Sequence, residues 1–116
     1  MTISQAIEFQ SPAHTQPTHK LDLEMFTFIE RYATNLARWD VLVFFGQHPT
    51  AASDAAQIAQ RVGRGARMVQ KELDDLVYLG VLHARHDAQG TLYGLARSAA
   101  TRRNVIRLAR DYTVRL

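Results

Sequence analysis

The chain has 116 residues, 47% of them hydrophobic and 22% charged, with no cysteine and a formal net charge of +3. That length fits one domain whose core needs neither a disulfide nor a metal, and the lack of cysteine excludes a disulfide framework, a thiolate zinc site, an iron–sulfur cluster and a cysteine nucleophile. No apolar run approaches the ~20 residues of a membrane span, and the start lacks the basic-then-apolar layout of a leader, so the expected setting is cytoplasmic, away from membranes. The charge is unevenly placed. Residues 1–60 carry three basic groups against six acidic ones, whereas residues 61–116 carry eleven against five. A basic half on a small domain points either to a polyanionic partner or to ordinary surface solvation.

Residues 1–20, with Pro12, Pro17 and many polar side chains, read as a mobile arm with some contact around Ile3, Ile7 and Phe9. Residues 21–116 read as one domain. Met25, Phe26, Ile29, Tyr32, Ala33 and Leu36 fall at helical spacing, and Trp39, Leu42, Val43 and Phe45 continue it. This is one long helix or two with a joint near Asn35, ended by Gly46 and Pro49. Ser53 or Thr50 is the expected cap of the next helix, which runs to about Arg61 with Ile58, Ala59 and Val62 as its apolar side. Gly63-Arg64-Gly65 makes a tight turn. A helix from about Ala66 to Leu79 follows, with Val69, Leu73, Leu76 and Val77 as its stripe, closed by Gly80. Val81 to His86 and Thr91 to Leu95 then read as a hairpin around Asp87-Ala88-Gln89-Gly90. Ser98 is expected to cap a last helix ending near Arg115, with Val105, Leu108, Ala109, Tyr112 and Leu116 in line.

Catalytic chemistry finds no foothold. The chain has no glycine-rich phosphate loop, no G-x-S-x-G and no HExxH, and the consecutive Asp74 and Asp75 diverge on a helix by about 100° instead of pairing. His83 and His86 stand three apart on a strand, which points them to opposite faces and argues against a metal site. His48, beside Pro49, reads as a helix-end residue. No enzyme, metal or cofactor is implied.

Two helices joined by a tight glycine-containing turn, then a strand–turn–strand, form a recognisable order. Over about Leu36 to Leu95 the chain resembles the winged helix-turn-helix family of bacterial transcriptional regulators. The residues that carry the likeness are Ile58-Ala59-Gln60-Arg61-Val62-Gly63, then Val69 through Leu82 with Leu76 four residues ahead of Gly80, then Tyr93-Gly94-Leu95. The resemblance implies a mainly α fold with a small β-hairpin: a three-helix core plus wing over 37–95. An N-terminal helical extension at 21–36 and a C-terminal helix at 98–115 flank it. It also implies double-stranded DNA as the partner, with the helix from Ala66 entering the major groove.

Because Val69, Leu73, Leu76 and Val77 face inward, Arg67, Met68, Gln70, Lys71 and Asp74 would face outward. Arginine pairs with guanine and glutamine with adenine, while Lys71 suits a phosphate. The wing would bring Arg85, His86 and Gln89 to the backbone or minor groove. Arg64 and Gly65 stand where the family usually has an apolar residue and a Ser or Thr cap, making Arg64 an extra phosphate contact or a surface residue. Against each of these stands the plain reading of a solvated helix face, which is also the reading for Arg102, Arg103, Arg107 and Arg110.

The flanking helices have apolar stripes with little domain left to cover them. This places Met25, Phe26, Ile29, Tyr32, Val105, Leu108 and Tyr112 at an expected homodimer interface. Trp39, Phe44, Phe45, Phe26, Phe28 and Tyr32 are core or, alternatively, line a small-molecule effector pocket, which nothing in the sequence demands. The expected function is a small dimeric, sequence-specific transcriptional regulator. The alternative is a winged-helix protein–protein interaction or assembly module without specific DNA binding, favoured by Asp74 and Asp75 and by the thin charge of the wing.

Overall fold

The computed structural model describes the backbone over residues 15–112 and the side chains over 23–112. In chain order the elements are α1 Thr15–Tyr32, α2 Leu36–Gln47, α3 Ala55–Val62, α4 Ala66–Tyr78, β1 Leu82–Asp87, β2 Gly90–Leu95 and α5 Ala99–Asp111. Helix α1 begins inside the segment expected to be an arm. Pro17 falls in its first turn, where backbone N–H groups have no intrahelical partner and the missing one costs nothing. The expected contacts of Ile3, Ile7 and Phe9, and the place of Leu116, lie outside the described residues.

The long apolar stretch resolves into two helices. Asn35 takes an extended conformation (φ −152°) and its side-chain oxygen accepts the N–H of Arg38 at 2.7 Å, capping α2. Helix α2 is apolar nearly all round because it is central: it packs on α3, α4 and α5 and fully buries Val41, Leu42 and Phe45. Gly46, expected to end the helix, lies within it. Its place there is explained by α5, since a Cβ at this position would stand 2.5 Å from the Val105 carbonyl oxygen and from the Ala109 Cβ.

Asp54, not Ser53 or Thr50, caps α3. Its carboxylate accepts the Gln57 N–H at 2.8 Å while the Gln57 side chain accepts the Asp54 N–H at 3.2 Å. Ser53 is committed elsewhere: its backbone exchanges two hydrogen bonds with Tyr93, at 3.1 and 2.8 Å, adding a stub of third strand beside β2. Gly63 ends α3 in the left-handed region (φ 73°), a conformation that favours glycine. Helix α4 starts at Gly65 with no side-chain cap and fully buries Val69, Leu73 and Leu76.

The hairpin pairs Leu82 with Leu95 and Ala84 with Tyr93, and Leu82, Tyr93 and Leu95 sit on the core. Ser98 caps α5 by accepting the Thr101 N–H. The helix ends at Asp111 with Tyr112 as its C-cap, short of the end expected near Arg115. Val105 and Leu108 are 0% exposed and Met25 is 1% exposed within the single chain, so these three belong to the protomer core. Helix α5 packs on both α2 and α1, which removes the reason for placing these three residues at an interface.

Candidate nucleic-acid interface

The turn between α3 and α4 presents the N-terminal half of α4 to solvent. Arg67 and Met68 are exposed there, and Arg67 has no hydrogen-bond or ion-pair partner among the described residues. The neighbouring expected contacts are less free. Arg64 is drawn back to α2, its Nε donating to the Asp40 carboxylate at 2.6 Å, which leaves it a tether of the turn. Lys71 pairs with Asp75 at 2.9 Å, four residues on; that bond holds the lysine above and the carboxyl below their ordinary values. Both ends of this pair are solvated, so it contributes little to stability.

Gln70 is held by the hairpin. Its Nε2 donates to the Tyr93 hydroxyl, and that hydroxyl donates to the Asp74 carboxylate at 2.9 Å. Gln70 Nε2 also approaches both Asp74 oxygens, at 3.2 and 3.3 Å. Burial pushes the Tyr93 phenol upward, and its bond to Asp74 pushes in the same direction against the bond from Gln70. Raising the folded-state value means the native state holds this proton more tightly than the unfolded chain does. The resulting stability is fully present below the ordinary phenol value of 10.0 and is lost as pH rises through the higher folded value. Alkaline denaturation midpoints should therefore fall more steeply above that pH for the parent than for Tyr93→Phe, and parallel curves would show that the hydroxyl is not so held.

Behind this surface, a buried polar cluster ties α4 to the start of α2. Arg38 Nε donates to Glu72 at 2.8 Å and its Nη2 to Asp75 at 3.0 Å, while Asn35 Nδ2 donates to the other Glu72 oxygen at 3.2 Å. Arg38 and Glu72 are 8% and 5% exposed. Neither was singled out in the sequence, although a charged residue inside each of two apolar stripes is the trace such a pair leaves.

On the hairpin, Arg85 is exposed and has no partner among the described residues, and the same holds for Arg97 just beyond β2, which sequence reasoning missed. His86 bonds Thr91 across the hairpin at 2.8 Å, and Gln89 sits in the turn with its N–H donating to the Asp87 carboxylate. The His83 ring lies across Gly94, so the two histidines have separate surroundings, and no group of three potential ligands assembles among the described residues. The arginines of α5 are engaged: Arg102 with the Pro49 and Ala96 carbonyls, Arg103 with Glu24, Arg107 and Arg110 with Asp111.

The aromatic series divides. Phe45 is core, Phe26 is 62% exposed beside Leu23 at 61%, and Phe28 and Tyr32 line a cleft of about 350 Å³ between α1 and α5 together with Glu24, Arg31, Thr101 and Asn104. Ile29, Tyr32 and Tyr112 are half-buried against the core. No described helix is long and apolar enough to cross a membrane.

No sequence-family profile matches the chain. No curated relative matches it either. Its architecture does match solved structures. HlyU from Vibrio cholerae is 18% identical and superposes with a TM-score of 0.61 over 78% of this chain and 95% of its own. MepR of Staphylococcus aureus, solved in complex with DNA, is 16% identical with a TM-score of 0.59 over 85% and 81%. A homodimeric winged helix-turn-helix DNA-binding domain from Mycobacterium bovis is 17% identical with a TM-score of 0.56 over 87% and 89%. A helix–turn–helix followed at once by a two-stranded wing, matched over most of the chain in each case, identifies the fold: this chain adopts the winged helix-turn-helix fold.

Proposed function

We propose that the chain is a homodimeric transcriptional regulator that binds double-stranded DNA in a sequence-specific way, with α4 in the major groove and the hairpin on the flanking backbone. The observation that carries this reading is the pair of exposed arginines, without a partner among the described residues, on the two elements that a winged helix turns toward DNA, Arg67 at the start of α4 and Arg85 on β1. Arg67 would read guanine, Met68 would pack beside it, and Arg85, with Arg97, would meet phosphates. Lys71, His86 and Gln89 remain at the margin of this surface, and Arg64 acts by holding the turn. The DNA complex of MepR and the homodimeric M. bovis domain support the same mode of action. The exposed pair Leu23 and Phe26, one turn apart on α1, supports a second copy as the cover for that helix, with Ile29, Tyr32 and Tyr112 at its edge. The bacterial sources of these structures support a bacterial setting.

A salt titration of duplex binding tests the proposal. Affinity should fall steeply with ionic strength, and Arg67→Ala should lower specific affinity by about 1–3 kcal/mol and relax preference at one base pair. Arg85→Ala should weaken all sequences alike and flatten the salt slope by about one unit. Weak binding that ignores salt and both arginines would overturn the DNA reading in favour of a protein-interaction module, for which the pairing of Lys71 and Arg38 with Asp75 is the favouring observation.

A further inference from the structure

The tether between the hairpin and α4 has a direction. Asp74 offers only acceptor oxygens, and the Tyr93 proton is committed to it, so both partners of the Gln70 amide accept at the side they present. Only the NH₂ end of Gln70 satisfies them, which settles which way the amide points. Tyr93 is 3% exposed, and its backbone is pinned on both sides, by Ala84 across the hairpin and by the Ser53 bridge. Its hydroxyl therefore stands at a fixed height beside α4, whereas Gln70 and Asp74 are exposed.

We infer that Tyr93 is a specificity-positioning residue: from the wing it holds the Gln70 amide so that the carbonyl oxygen, not the NH₂, faces the DNA. This inference rests on the DNA-binding reading above. An untethered glutamine recognises adenine with both ends of its amide, donating to N7 and accepting from N6. A glutamine whose NH₂ is occupied offers an acceptor alone, which matches the major-groove N4 amine of cytosine as well as the N6 amine of adenine. The expected preference opposite Gln70 is thus for a base with an exocyclic amine, adenine or cytosine, over guanine or thymine, which show acceptors there. The wing, usually credited with backbone contacts, would in this chain also set a base preference through a side chain that never touches DNA.

The test uses the full chain and a randomised duplex pool, with binding selection read at every position. For the parent, one position should accept adenine and cytosine alike. Tyr93→Phe keeps the ring that fills the core and removes only the hydroxyl. It should shift that position toward adenine by about tenfold, leaving the other positions and the salt slope unchanged. In a Gln70→Ala background the same change should do nothing, because its effect passes through Gln70. Asp74→Ala, at an exposed site, should shift the same position and keeps the test open if Tyr93→Phe loses its fold by circular dichroism. A base profile unchanged by a folded Tyr93→Phe, or by Asp74→Ala where Tyr93→Phe does not fold, overturns the inference, as does a Tyr93→Phe effect that persists without Gln70. If the parent shows no salt-dependent duplex binding, the DNA reading itself fails and this inference with it, an outcome distinct from intact binding with an unaltered profile.

Discussion

Arg38→Ala will lower the stability of the chain by about 3–5 kcal/mol, the largest effect expected of any single polar substitution here. The magnitude comes from what is left behind. Glu72 is 5% exposed and leans on Arg38 at 2.8 Å; without the guanidinium it keeps, among the described residues, the 3.2 Å bond from Asn35 alone. A buried carboxylate stripped of its partner carries its full desolvation cost, whereas an intact buried pair roughly breaks even against a hydrophobic replacement. The two statements separate experimentally. Urea denaturation should show Arg38→Ala strongly destabilised and the double variant Arg38→Met with Glu72→Leu recovering most of the loss. A single variant within about 1 kcal/mol of the parent would mean the pair is solvated and the account wrong. The cluster also joins α4 to α2 at Glu72 and Asp75, so duplex affinity should fall in the single variant and return in the double.

Gly46→Ala should also destabilise, by about 1–3 kcal/mol, and here the sign is the informative part. Inside an exposed helix the same replacement stabilises by about 1 kcal/mol, because alanine is the best helix former and glycine among the worst. At Gly46 the added methyl would stand 2.5 Å from a backbone carbonyl of α5 and from the Ala109 Cβ, neither of which is a flexible side-chain end. Helices α2 and α5 must then separate, and Phe45, Val105 and Leu108 lie along that seam. Overpacking outweighs propensity, so the thermal midpoint should drop. A midpoint equal to or above the parent's would mean that α5 leaves room beside Gly46 for a methyl group.

Much of the fold was legible because its signals are local. The stripe Val69, Leu73 and Leu76, the turn glycines Gly63 and Gly80, the Ser98 cap and the two alternating strands each declare themselves within a few residues, and the order of elements then names the architecture. Local signals misled where a residue had a distant partner. Gly46 resembles a terminator, yet it is the gap through which α5 passes. Ser53 resembles a cap, yet its backbone belongs to the sheet, and the cap moves to Asp54. Met25, Val105 and Leu108 resemble an unpaired stripe, because a sequence shows that a face is apolar but not which face of the same chain covers it.

The candidate site divides along the same line. Periodicity was enough to place Arg67, Met68, Gln70 and Lys71 on the outer side of α4, since an inward stripe leaves its complement outside. It could not tell which of them are free. Asp75 engages Lys71 from one turn away, but Asp40 reaches Arg64 from α2 and Tyr93 reaches Gln70 from the hairpin, 24 and 23 residues off in sequence. The opening imbalance of charge has the same fate. Composition put eleven basic groups in residues 61–116, and folding neutralised most of those on α5 and α4, leaving Arg67, Arg85 and Arg97 exposed without a partner among the described residues. The number of charges is a property of the chain, but their availability depends on pairings that close only when distant segments meet.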